Sequence, residues 1–207
     1  MLHSPDIKKI NLVKIFNFFK ILKKEKIIKN FGISLRSPKD ILLVNNIDLD
    51  VVEFNFNLFD QRGIDVNIFQ ILKKRNIKSI CRTPLCFGFL TDNKITKKQL
   101  HESDHRKKFW TQQQFNRWIK AKELFKDFYD KKIYANYSQF ALNFCLSHPF
   151  DFVIPGMMSK HDIDVNLHSK NYKKIDKEQL NLIYKIYKKN EEIIYKKMKS
   201  KKKFEEK

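Results

Sequence analysis

Leu49-Asp50-Val51-Val52-Glu53-Phe54-Asn55-Phe56, then a helical stretch from Asp65 to Asn76, then Ile77-Lys78-Ser79-Ile80-Cys81-Arg82-Thr83-Pro84: this run decides the fold. Both flanking segments are rich in β-formers, and the region between them has helical periodicity. Two strands separated by a helix, without hairpin turn residues, imply parallel strands joined by a crossover. Thr83-Pro84 ends the second strand, because proline cannot donate to a sheet ladder.

The alternation continues outward in both directions. Upstream, Asp6 is a plausible N-cap for a helix over Lys8 to Lys24, which places Leu12, Ile15, Phe16, Phe19 and Leu22 on one face. Asn30 to Ser34 reads as a short buried strand and Pro38 to Val44 as a short helix. Downstream, the polar stretch Thr91 to Lys108 is long for an ordinary connection and is a candidate functional loop. Thr111 with Gln114, and Asn136 with Gln139, form capping-box patterns ahead of two apolar helices. Asp151 to Pro155 is a further strand, followed by helices from Lys160 to His168 and from Asp176 onward. From Lys185 to Lys207 the chain carries ten Lys against four Glu and is expected to fray into solvent.

At 207 residues with 19 Phe, the chain is long enough for one domain with a sizeable core. Lys+Arg outnumber Asp+Glu by 43 to 23, a formal charge of +20. Such an excess raises the prior for a polyanion partner. It is nearly all Lys, however, and comes with abundant Ile, Asn, Phe and Tyr, a bias that AT-rich codons impose on any protein. A dedicated nucleic-acid partner is therefore not expected. No apolar run reaches the roughly 18 residues of a membrane helix. Cys81, Cys86 and Cys145 form no CxxC pair, no metal site emerges around His101 and His105, and a cytoplasmic protein with reduced thiols is expected.

A (β/α)8 barrel and an open doubly wound sheet both satisfy consecutive parallel strands. The absence of GxGxxG and GxxxxGK[ST] after any strand shifts weight to the barrel. In a barrel the active site gathers at the C-terminal strand ends. That rule selects His3 with Ser4, Ser34, Glu53 with Asn55, Arg82 with Thr83, and Gly156 to Ser159.

Five segments then match a known family in order and spacing. They are Leu2-His3-Ser4-Pro5-Asp6, Phe31 to Pro38, Val52 to Leu58, Arg82-Thr83-Pro84-Leu85-Cys86-Phe87-Gly88-Phe89-Leu90-Thr91, and Val153-Ile154-Pro155-Gly156-Met157 through Asn166. From His3 to about Leu182 the chain resembles the second half of an aldo-keto reductase. The resemblance implies an α/β fold of (β/α)8 type, with the family's barrel strands four to eight and their helices present over residues 1–184, and a Lys-rich helical tail over 185–207. It also implies an NAD(P)-dependent oxidoreductase that reduces a small carbonyl substrate by hydride transfer. His3 stands where the family has the His that orients the carbonyl. The Asp, Tyr and Lys of the family's catalytic set come from strands upstream of Met1. About 100 of roughly 250 barrel residues are then missing, so the expectation is a truncated or split chain, inactive alone. It would self-associate or take the missing strands from a complementary N-terminal half.

The resemblance also implies a cofactor set. Ser34 and Glu53 stand where the family binds the nicotinamide carboxamide, with Glu53 replacing the usual Gln. An ionised carboxylate accepts from the amide but cannot donate to it, so binding should weaken. Arg82, followed by Thr83, Pro84 and Leu85, replaces a ring-stacking Tyr; pairing of Arg82 with Glu53 is the competing reading. Gly156, Met157 and Ser159 lead into a helix N-terminus suited to the phosphates. Asp162, where NADP-specific members place Arg, favours NADH over NADPH unless it simply caps that helix, and Asn166 keeps its identity near the adenine. Asp104-His105-Arg106 matches a family triplet that covers the cofactor or forms a structural ion pair. The rival functions are a non-catalytic dinucleotide- or protein-binding remnant and a nucleic-acid binder using the Lys-rich tail.

Overall fold

The computed structural model describes residues 1–93 and 95–194. Five strands, β1 (Leu2–His3), β2 (Gly32–Ser34), β3 (Val51–Asn55), β4 (Lys78–Arg82) and β5 (Phe152–Ile154), form one sheet in sequential order. Every neighbouring pair is parallel. A doubly wound sheet reverses its strand order at a switch point and covers both faces with helices. This sheet does neither. Its winding is consistent with part of a (β/α)8 barrel.

Side chains alternate across a strand, so the register sorts them into two faces. Ile33, Val52, Phe54 and Cys81 share one face and are fully buried. On the other face His3, Ser34, Glu53, Ile80 and Phe152 form one row, and Asn55, Arg82 and Ile154 the next. In a closed barrel this second face is filled by interdigitated layers from alternate strands. Here it is half open: Phe152 is 57% exposed and Ile154 47%.

The helices are α1 (Leu12–Lys24), α2 (Arg62–Asp65), α3 (Ile68–Lys74), α4 (His105–Phe109), α5 (Gln112–Glu123), α6 (Tyr137–Leu146), α7 (Lys160–His168) and α8 (Lys177–Ile194). Aromatic rings join them to the buried face of the sheet. Phe16 of α1 meets Phe31 at 5.9 Å, Phe69 of α3 meets Phe54 at 5.9 Å, and Phe144 of α6 stacks on Phe56 at 5.6 Å. The expected caps form at Thr111 and Asn136, whose side chains accept from the amides of Gln114 and Gln139.

Three boundaries differ from expectation. α1 starts after Asn11, not Asp6, because the Asn11 side chain accepts from the Lys14 amide while Asp6 caps only a local turn at Lys8. The helix expected from Asp65 is divided by Asn67 at φ 52°, a left-handed conformation that asparagine tolerates better than most residues. Fraying does not begin at Lys185: α8 continues to Ile194, with Tyr187 and Ile194 fully buried. The Ile194 carbonyl accepts from Gln114 Nε2. Residues 195–207 of the expected tail lie outside the described residues.

His148 lies edge-on to Phe56 and Phe144 and stacks on Phe69, with Nδ1 2.8 Å from the Phe144 carbonyl. Burial pushes its pKa from 6.5 down to about 4. Between those values the unfolded chain binds more protons than the native one, so this group's share of stability is complete above the upper value and lost as pH falls. Over the full interval the loss is about 3 kcal/mol. Urea unfolding between pH 6.5 and pH 4 should show this slope in the wild type. A His148→Leu chain should show a shallower one.

Candidate functional site

The C-terminal ends of β1 to β4 meet around one side chain. Arg82, at the end of β4, donates through Nε to Asn55 Oδ1 at 2.8 Å and through Nη1 to Ser4 Oγ at 2.9 Å and Ser34 Oγ at 2.7 Å. Nη2 donates to the Leu35 carbonyl at 3.1 Å. Ser34 Oγ in turn donates to Glu53 Oε1 at 2.9 Å, and that oxygen lies 3.5 Å from Arg82 Nη1. The side chains of Arg82 and Glu53 are only 18% and 10% exposed. Parallel in-register strands explain the convergence: the one long side chain at the rim crosses two neighbours and reaches the loop after β1.

The backbone around it is strained. Ser4 (φ 45°), Thr83 (φ 56°), Cys86 (φ 44°) and Phe87 (φ 56°) all occupy the left-handed region without being glycine. A β-branched residue such as Thr83 is a marked outlier there, and such outliers cluster at functional sites. Asn57 Nδ2 holds the Thr83 carbonyl at 2.9 Å, and Asn55 Oδ1 lies 3.1 Å from Thr83 Oγ1.

The network makes Arg82 and Glu53 interdependent. Truncating one member of a shielded ion pair leaves the other charge poorly solvated. Discounted for partial exposure, Arg82→Leu should cost about 2 kcal/mol. Adding Glu53→Gln should return most of that loss. Urea titrations of both single variants and the double variant give the coupling directly.

His3 stands exposed at the end of β1, paired in register with Ser34. Pro84 is buried and Leu85 packs against the core, so these two serve the turn after β4. Gly156, Met157 and Ser159 leave the rim from β5 and are exposed. Ser159 Oγ accepts from the Asp162 amide at 3.1 Å, and Asp162 Oδ2 accepts from the Met158 amide at 2.9 Å. This reciprocal cap, above all the Met158 amide, holds the Asp162 carboxyl below the ordinary carboxylate value. Asn166 Nδ2 reaches the Gly156 carbonyl at 3.3 Å.

In the stretch Thr91 to Lys108, Asp104 caps α4 and is held at about 2 by the fork of Arg106, whose Nη1 also reaches the Phe87 carbonyl. The triplet therefore pins α4 to the turn after β4. A cavity of about 420 Å³ lies at the other pole, near the start of β4, lined by Phe69, Lys73, Ser79, Pro149 and Asp151. Its Asp151 carboxylate is already engaged by the Ser79 amide and Lys78, so it is a structural cleft. Two rim participants escaped sequence reasoning. The Leu35 carbonyl is backbone and carries no residue signal; Asn57 belongs to an Asn-x-Asn pattern that could have been read as turn chemistry.

The two ends of a dinucleotide meet different fits. Asp162 and Asn166, which the resemblance assigns to the ribose and adenine, are engaged within their own helix start, Asp162 Oδ2 with the Met158 amide and Asn166 Nδ2 with the Gly156 carbonyl, so one carboxylate oxygen is left to meet a 2′-hydroxyl. Ser34 and Glu53, which the resemblance assigns to the nicotinamide carboxamide, do not fit that group as they stand, because both are engaged by the Arg82 guanidinium.

Comparisons with known proteins agree with this fold. The chain resembles the aldo-keto reductase AKR11C1 from Bacillus halodurans in its holo form, with TM-score 0.67 and 19% identity over 89% of this chain and 57% of that one. It also resembles the glycerol dehydrogenase AKR11B4 from Gluconobacter oxydans, with TM-score 0.66 and 20% identity over 90% of this chain and 57% of that one. The chain thus spans less than two thirds of the length of these structures. No curated protein matches it. The profile of the aldo/keto reductase family matches residues 1–188. With its parallel strands wound in sequence and its polar side chains gathered at their C-terminal ends, the chain belongs to the aldo/keto reductase family.

Proposed function

We propose that this chain is the cofactor-facing part, the family's strands four to eight, of an NAD(P)-dependent oxidoreductase that reduces a small carbonyl compound. The observation that carries the reading is the convergence of His3, Ser34, Glu53 and Arg82 in adjacent rows on one sheet face, with the Gly156 segment leaving the same rim. A nicotinamide cofactor supplies hydride when bound. His3, exposed beside Ser34, would donate a hydrogen bond to a carbonyl oxygen on which charge develops. Asp162 repels a 2′-phosphate, so NADH is the favoured form. Its share in capping α7 leaves one carboxylate oxygen for a ribose.

The chain alone is inactive in this reading. Among the described residues no tyrosine stands at the C-terminal end of a strand to deliver the proton. The half-open face bearing Phe152 and Ile154 belongs against a three-stranded parallel β/α segment, a complementary half that would complete eight staves. A cytoplasmic setting fits the three free, buried cysteines. Among the described residues no helix is long and apolar enough to cross a membrane.

Calorimetric titration tests the reading. Tighter binding of NADH than of NADPH supports it; tighter NADPH removes the argument from Asp162. A purified chain that reduces a generic aldehyde with either cofactor would refute inactivity. The second reading, a remnant that binds without catalysis, is favoured by the engagement of Ser34 and Glu53 with Arg82. Activity that stays absent after the N-terminal three strands of an aldo-keto reductase are supplied would select it.

A further inference from the structure

We propose that Arg82 is a latch: its guanidinium occupies the nicotinamide end of the rim, so this chain binds a dinucleotide through the adenosine half alone until Arg82 swings away. The inference rests on the dinucleotide reading and concerns the regulation of that same site. Nη1 sits 2.7 Å from Ser34 Oγ and 3.5 Å from Glu53 Oε1. A carboxamide amine would present the same kind of planar N–H to the same two oxygens. Both cannot be accommodated together.

The latch is held from several sides. Asn55, Ser4, Ser34 and the Leu35 carbonyl accept its donors, and Glu53 supplies the countercharge. Hydrogen bonds from a charged group in a shielded site are stronger than neutral ones. A neutral carboxamide therefore competes poorly for the place. Glu53, where a glutamine would give no countercharge, strengthens the hold. An oxidised nicotinamide is cationic and would add repulsion against the guanidinium, so the latch disfavours it more than the reduced ring.

The experiment compares NADH with ADP-ribose, which lacks the nicotinamide, by calorimetry. The proteins are the wild type, the Glu53→Gln single variant and the Arg82→Leu/Glu53→Gln double variant, in which no lone charge remains at the rim. Wild type and the single variant are expected to bind the two ligands within about twofold of each other. The double variant is expected to bind NADH about tenfold tighter than ADP-ribose, with ADP-ribose affinity unchanged. Thermal melting monitors the fold of each variant, and the wild-type comparison depends on no substitution. If the wild type already prefers NADH about tenfold, or the folded double variant shows no preference, the latch is overturned while the dinucleotide reading survives. If ADP-ribose binds no variant, the dinucleotide reading falls and the latch with it.

Discussion

Gly32→Ala is expected to abolish stable folding of the chain. Gly32 opens β2 directly beside Val51 of β3, and a Cβ built there would lie 1.9 Å from the Val51 carbonyl oxygen and 2.6 Å from its Cγ1. Backbone oxygen cannot rotate away as a flexible side chain does. The strands would have to separate, breaking the register that sets Ser34 against Glu53. Overpacking a well-packed site costs about 3 kcal/mol or more, against a total stability of about 5–15 kcal/mol for a domain. Circular dichroism melts should show Tm lowered by many degrees, or no cooperative transition. A melting curve within a degree or two of wild type would contradict the close approach of β2 and β3.

The second large effect is expected at Phe56. Its fully buried ring touches Phe69, Phe144, His148 and Phe150, uniting the sheet with α3 and α6. Removing a buried phenyl group costs about 3–5 kcal/mol through lost transfer energy and the cavity left behind. Phe56→Ala should lower the urea midpoint accordingly. The residue also reaches the rim through its backbone: its amide donates to the Arg82 carbonyl, and its carbonyl accepts from Cys81 Sγ. On the proposed function, the packing loss should be accompanied by weaker dinucleotide binding. Phe56→Leu, which keeps most of the volume, should recover much of both. Equal losses for Ala and Leu would locate the effect elsewhere.

Both predictions place the support of the rim in packing and close strand approach. The sheet side of that support was legible in residue pattern. Val52 and Phe54 alternate with Glu53 and Asn55, and this alternation sorts the faces before any contact is known. The same holds for the capped helix starts at Thr111 and Asn136, where one side chain accepts from an amide three residues on. Less legible were the choice of Asn11 over Asp6 as a cap and the extension of α8 to Ile194. The first is decided by competition between two nearby acceptors. The second is decided by Gln114 and the core that buries Tyr187.

What the amino-acid order determined by itself is local: strands alternating with helices, their parallel sense, and the list of polar residues at strand ends. Period and capping act over a few residues, so they are written in neighbours. Tertiary structure alone decided that Arg82 reaches Ser4, 78 positions away, and links the ends of β2 and β3 on the way. It also decided that Asp162 turns to its own helix and that Phe152 and Ile154 stay exposed on the sheet face that carries the rim. Those outcomes depend on the distance and register between strands, which residue pattern does not encode one segment at a time.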